Sequence, residues 1–151
     1  MNLGDLRATS RLIARLDDEQ FDFFESLATE IILAPDEVLF RENGEAKRFF
    51  IIARGIISLE VERAAKPSTT VQTVGEGALL GLSWRLEPHR WMWTARAMTE
   101  TRLAVFDAAF MRSECASNSA LDRLMWEAVA KEASERLQHT RIQMLDLYGG
   151  G

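Results

Sequence analysis

The chain has 151 residues, of which 47% are hydrophobic and 27% charged, and its formal net charge is −5. This is the length of a single domain, and the apolar content is too high for a disordered chain. Nucleic-acid binding draws most of its affinity from lysine and arginine clusters, which this acidic chain lacks. We therefore expect no direct contact with nucleic acid.

Cysteine and histidine are scarce: Cys115, His89 and His139 are the whole supply. No intramolecular disulfide can form, and we expect neither a metal centre nor a catalytic triad. The longest apolar stretches fall short of the ~18 residues that a membrane span requires, and the N-terminus lacks the apolar core of a signal peptide. The prediction is a cytoplasmic protein that is not an enzyme and does not enter a membrane.

Residues 9–30 are predicted to form N-terminal helices. Phe21, Phe24 and Leu27 recur at spacings of three, which is typical of one face of a helix. Asp17 is expected to cap this helix, because aspartate at that position accepts a hydrogen bond from a free backbone N–H.

Residues 31–106 read as many short strands. Ile57, Leu59 and Val61 alternate with polar residues, as in a half-buried strand. Asn43-Gly44 is a turn dipeptide, and residues 66–68 (KPS) are expected to form a loop. Short strands at such close spacing indicate an antiparallel roll or sandwich.

Residues 107–148 are predicted to be helical, with a short helix followed by one long helix. An apolar stripe runs along the long helix: Leu121, Leu124, Met125, Ala128, Val129, Ala133, Leu137, Thr140, Met144 and Leu147. This stripe is longer than a small roll can cover, so we expect homodimerisation through the C-terminal helix.

The order of these elements resembles the cyclic nucleotide-binding domain family, and in particular its catabolite-activator-type regulatory domains. Five stretches carry the resemblance: residues 35–44 (PDEVLFRENG), 49–55 (FFIIARG), 75–81 (GEGALLG), 94–107 (TARA and LAVFD) and 136–140 (RLQHT). It implies one domain over residues 1–151, of the α+β class and mainly β. The expected fold is an antiparallel β-roll of the double-stranded β-helix (jelly-roll) type, with N-terminal helices and a long C-terminal helix.

The phosphate-binding cassette departs from the family pattern. In the family a Gly-Glu pair is followed by an arginine, and the glutamate accepts the ribose hydroxyl while the arginine pairs with the cyclic phosphate. Here Leu82 follows Gly81, and counting back from residues 94–97 places Trp91 where the arginine belongs. Arg90 is one position away. The resemblance therefore predicts a degenerate cassette.

The candidate ligand-binding residues are Gly81, Leu82, Ser83, Trp84, Arg90, Trp91 and Thr140. Each has a second interpretation. Trp84 and Trp91 either line a remodelled pocket, fill the space of a missing nucleotide, or mark a partner interface. Arg90 is either an anion ligand or a surface residue, and Thr140 either reaches the ligand or lies between paired helices. The expected ligand is a cyclic nucleotide or another small anionic or aromatic molecule, with no other cofactor.

The functional prediction is a non-enzymatic regulatory or sensory module that signals through partner proteins. The sequence ends where two-domain relatives continue into a DNA-binding helix-turn-helix, so a stand-alone module is expected. Two alternatives stay open: a true cyclic-nucleotide receptor that uses Arg90, and a ligand-free dimeric scaffold.

Overall fold

Eight strands form two facing antiparallel sheets in this computed structural model, which describes residues 2–149 and, of residues 147–149, the backbone alone. The strands are β1 (Thr29–Leu33), β2 (Val38–Phe40), β3 (Arg48–Arg54), β4 (Ile57–Arg63), β5 (Lys66–Val74), β6 (Leu79–Leu80), β7 (Thr94–Ala97) and β8 (Thr101–Asp107). One sheet has the order β1-β8-β3-β6 and the other β2-β7-β4-β5. The predicted jelly-roll-like fold is confirmed.

The helices lie before and after the roll. They are α1 (Arg11–Arg15), α2 (Asp18–Leu27), α3 (Ala108–Ser117) and α4 (Ser119–Gly149), with short 3₁₀ turns at Leu3–Leu6 and Leu82–Trp84. The predicted long C-terminal helix is thus present, although the side chain of Leu147 lies outside the described part. Across residues 2–149, no helix combines the length and the apolar character needed to cross a membrane.

The N-terminal helices follow the predicted cap. Asp17 accepts a hydrogen bond from the backbone N–H of Gln20, and the Gln20 side chain accepts one from the backbone N–H of Asp17. This reciprocal capping box fixes the start of α2 and separates it from α1. Because α2 ends at Leu27 and β1 begins at Thr29, the helical zone ends three residues before the predicted boundary at residue 30.

Two hydrophobic cores result. The inner core lies between the two sheets and contains Phe50, Leu59, Leu80, Trp91 and Leu103. The outer core lies between the first sheet and the helices and contains Phe24, Phe49, Trp84, Phe106 and Met125. The segment between β6 and β7 contributes to both cores, and this segment holds most of the candidate site.

Candidate functional site

The segment that joins β6 to β7, residues 81–93, is called the cassette below. It begins at Gly81, whose φ of 111° lies in the left-handed region. A Cβ at this position would lie 3.1 Å from the Trp91 ring and 3.2 Å from Phe49 Cβ. Glycine is therefore required both by the backbone angle and by the close approach of two aromatic residues.

Trp91 is buried inside the roll, with 6% of its surface exposed. Its ring stacks on Phe40 with the centroids 3.8 Å apart and the planes at 11°. Here the resemblance to the family places the phosphate-binding arginine. The indole ring brings an apolar surface and one N–H donor to this place, and no positive charge.

Trp84 is fully buried in the outer core, where it stacks on Phe49 at 4.5 Å between ring centroids. Within the described part of the chain, its Nε1 has no hydrogen-bond partner. Gly81, Leu82 and Ser83 are buried beside it. The structure thus packs the first half of the cassette closely, and it places Trp84 and Trp91 in different cores.

Arg90 and Thr140 lie apart from this packed group. Arg90 is exposed, and its Nη1 donates a hydrogen bond to the carbonyl oxygen of Asn43 at 3.0 Å. Thr140 is exposed on α4, and its hydroxyl donates to the carbonyl oxygen of Arg136 in the same helix at 3.0 Å. The hydrogen bonds recorded for these two side chains therefore do not join them to the buried residues of the cassette.

Arg85 is not among the candidate residues predicted from the sequence, but its contacts make it a functional candidate. Its side chain is only 8% exposed and forms an ion pair with Asp122 of α4. Its guanidinium carbon lies 4.5 Å from the ring centroid of Trp126, also on α4. Arg112 of α3 donates a hydrogen bond to the carbonyl oxygen of Trp84 at 2.6 Å. These contacts hold the cassette against α3 and α4. They could not be found from the sequence, because the paired residues are far apart in sequence and form no local motif.

The backbone of Leu79, just before the cassette, is bound by two further residues of α4. Its N–H donates to Glu132 Oε1 at 3.1 Å, and its carbonyl oxygen accepts from Arg136 Nη2 at 2.7 Å. Burial raises the pKa of Glu132, and burial lowers the pKa of Arg136. Both charges are therefore held at a cost in solvation.

A cleft of about 360 Å³ lies between α1, residues 75–77 and α4. Its charged lining consists of Arg11, Arg15, Glu76, Lys131, Glu132, Glu135 and Arg136. No residue of the cassette lines it. Among the described residues, no three His, Cys, Asp or Glu side chains come together as a metal ion would require.

Comparison with known proteins identifies the fold and the family. A model of the family described as cyclic nucleotide-binding domain matches residues 30–118. No curated protein matches the chain in sequence. A solved structure of the cyclic nucleotide-binding type from Geobacter metallireducens is 27% identical, with a TM-score of 0.81 over 91% of this chain and 98% of that one.

Two more distant structures agree in fold. A cyclic nucleotide-binding domain from Methylobacillus flagellatus is 15% identical, with a TM-score of 0.81 over 95% of this chain and 82% of that one. The catabolite activator protein of Thermus thermophilus is 20% identical, with a TM-score of 0.69 over 93% of this chain and 63% of that one. With the family match covering more than half of its residues, the chain belongs to the cyclic nucleotide-binding domain family of regulatory modules.

Proposed function

We propose that this chain is a non-enzymatic regulatory module with a degenerate cassette, which signals through partner proteins. The observation that carries the proposal is the burial of Trp91 against Phe40 at the position of the family's phosphate-binding arginine. A cyclic phosphate is anionic, and a buried indole cannot offer the paired, charge-assisted hydrogen bonds of a guanidinium.

The loss of these contacts is large enough to matter. Removing one partner of a buried charge pair costs about 2–5 kcal/mol, and every 1.4 kcal/mol is about tenfold in affinity. Leu82 replaces the ribose-binding glutamate as well, and it is buried and apolar. Arg90, the remaining candidate, is engaged with Asn43 on the exposed side of the cassette. Together these features support a module that does not bind cyclic nucleotides in the family manner.

Calorimetric titration of the whole chain with cAMP and cGMP tests this proposal. We expect no binding tighter than about 1 mM, which corresponds to about 4 kcal/mol. Micromolar binding would overturn the degenerate cassette. If binding is found, Arg90→Ala tests the alternative of a true cyclic-nucleotide receptor, because that alternative requires the variant to lose nucleotide binding. Arg54→Ala, which removes an exposed arginine at the end of β3, is the matched control.

Self-association through α4 is the second part of the proposal. Trp126, Ala130, Ala133, Leu137, Thr140 and Met144 follow one another at spacings of four and three, the pattern of a coiled-coil seam. Leu137 is 70% exposed and Met144 is 53% exposed. This seam supports a homodimer in which Thr140 is a small residue between two helices. Sedimentation at tens of micromolar is the test, and a monomer there would contradict it.

The absence of enzymatic activity is proposed on chemical grounds. The thiolate is the reactive form of cysteine. Burial raises the pKa of Cys115, so this group is held in its unreactive form. The net charge of −5 supports a protein partner over nucleic acid, and the cytoplasm is the proposed location. An assay of the whole chain for hydrolysis of cyclic nucleotides tests the proposed absence of enzymatic activity.

A further inference from the structure

Leu79 stands at a point where the roll, the cassette and the long helix meet. It belongs to β6, the edge strand of its sheet, and it is two residues ahead of Gly81. An edge strand presents backbone N–H and carbonyl groups that no neighbouring strand binds. Buried groups of this kind need partners, and side chains of α4 supply them here.

Glu132 and Arg136 are the two partners. They are four residues apart, so they lie on the same face of α4, one turn apart. Glu132 accepts from the Leu79 N–H at 3.1 Å, and Arg136 donates to the Leu79 carbonyl oxygen at 2.7 Å. The helix thereby binds both polar groups of one residue of the strand, as a neighbouring strand would.

Arg136 and Glu132 both bind Leu79, but they do not form a close ion pair with each other. The Arg136 and Glu132 side chains are 6% and 19% exposed, and Arg136 Nη2 lies 3.8 Å from Glu132 Oε2, beyond hydrogen-bond distance. In the part of the chain that the structure describes, Arg136 Nε has no hydrogen-bond partner. The guanidinium carbon lies 5.5 Å from the ring centroid of Trp93, at the far end of the cassette. The one hydrogen bond from Arg136 to the backbone of Leu79 therefore has to hold a buried guanidinium whose other contacts are incomplete.

The cassette is also fastened on its other side. Arg85 pairs with Asp122, which lies ten positions before Glu132 on α4. Contacts before and after the 3₁₀ turn Leu82–Trp84 therefore lead to the same helix. A shift of α4 along or away from the roll must move both ends of this turn or break one of the contacts.

We propose that Glu132 and Arg136 form a latch, in which α4 grips the backbone of Leu79 and so couples its own position to the conformation of the cassette. They are positioning residues, and their importance for signalling rests on the proposed function, in which this domain is a regulatory module that signals through partner proteins. The latch itself is a physical property of the domain, whether or not a nucleotide binds.

Amide hydrogen exchange of the whole ¹⁵N-labelled chain tests the latch. In Glu132→Ala and in Arg136→Met we expect the Leu79 amide to exchange about tenfold faster or more, as the loss of a charge-assisted hydrogen bond implies. If the cassette is coupled to the latch, the Trp84 amide, which donates to the carbonyl oxygen of Gly81, exchanges faster as well. Glu132→Gln keeps an acceptor oxygen and should restore most of the protection. Glu135→Ala is the control, because Glu135 is a neighbouring exposed residue of α4 whose partner is Arg11.

The outcomes separate the latch from the proposed function. Faster exchange at Leu79 with unchanged cassette amides would overturn the coupling, and equal acceleration in Glu135→Ala would show that only the stability of α4 had changed. Additive effects on the exchange rates in the double variant Glu132→Ala/Arg136→Met would also overturn the latch, because two residues that bind the same partner are expected to have non-additive effects. Nucleotide titration of the unmodified chain decides the proposed function without reference to any of these results.

Discussion

The two halves of α4 both carry large apolar side chains, but the surroundings of these side chains differ. In the first half, Leu121, Met125 and Val129 are buried against the roll. In the second half, Leu137, Ile142, Met144 and Leu145 are 53–70% exposed. The latch residues lie at the boundary between them. The comparison teaches that one continuous helix has two environments: its first half completes the core of the domain, and its second half leaves large apolar side chains exposed.

Met125 gives the largest expected effect. It is fully buried in the outer core, so Met125→Ala should lower the free energy of unfolding by about 2–5 kcal/mol, through lost burial and the cavity left behind. Met144→Ala, the same substitution in the second half, should change the stability of the monomer by less than about 0.5 kcal/mol. Urea unfolding of both variants measures the difference. Equal losses would show that the two halves do not differ as described.

Asp122 gives the next effect. Asp122→Asn leaves Arg85, which is 8% exposed, without its charge partner. Breaking a buried pair costs about 3–5 kcal/mol, but Asp122 itself is 38% exposed, so we expect about 1–3 kcal/mol. Arg123→Gln breaks the exposed pair with Glu127 on the same half, and it should cost about 0–1 kcal/mol. Thermal unfolding compares the two, and a larger loss in Arg123→Gln would contradict the role of Arg85.

Structural features that depend on residues close together in sequence could be predicted, and those that depend on residues far apart in sequence could not. The Asp17 cap, the strand around Leu59 and the course of α4 depend on local pattern, and they were predictable. Lys66-Pro67-Ser68, expected as a loop, lies in β5. That strand is at the edge of its sheet, where proline has no ladder hydrogen bond to break.

The candidate site was predictable only in part. The resemblance located the cassette and drew attention to Trp91, because a motif position is a local feature. The roles of Arg85, Glu132 and Arg136 depend on partners 37 to 57 positions away in sequence. On sequence alone, Glu132 is one charged residue on a helix that carries many, and Arg136 is only the first residue of the stretch 136–140 that resembles the family. Only the approach of α4 to the edge of β6 distinguishes them.

Leu137 tests the second half of α4. In Leu137→Glu, a charge replaces the most exposed apolar residue of the proposed seam, and like charges would face each other in a dimer. We expect the dissociation constant of the dimer to rise about tenfold or more, while the monomer unfolds at an unchanged denaturant concentration. Sedimentation equilibrium measures the first quantity. Gln138→Glu, one position along and outside the seam, is the control, and an equal effect there would place the interface elsewhere.

Glu132 gives the smallest expected effect, a dependence of stability on pH. Burial raises the pKa of Glu132 above its ordinary value of 4.5, against the opposing effects of the Leu79 N–H and Arg136. The charged groups around it are Arg11, Arg15, Glu76, Lys131, Glu135 and Arg136. Because the folded state holds this proton more tightly than the unfolded state, the group stabilises the fold increasingly as the pH falls through the raised pKa. The gain is complete below the ordinary value and is lost again as the pH rises.

Glu132→Gln removes this titration and keeps the hydrogen-bond acceptor. The melting temperature of the unmodified chain should therefore rise, relative to that of Glu132→Gln, as the pH is lowered from 7 towards 4.5. Glu135→Gln gives the background for replacing a glutamate of the same cleft. If the difference in melting temperature between the unmodified chain and Glu132→Gln stays constant with pH, or if it grows as the pH rises, then burial does not raise the pKa of Glu132 as described. The latch would then consist of its two hydrogen bonds to Leu79, with no contribution from the titration of Glu132.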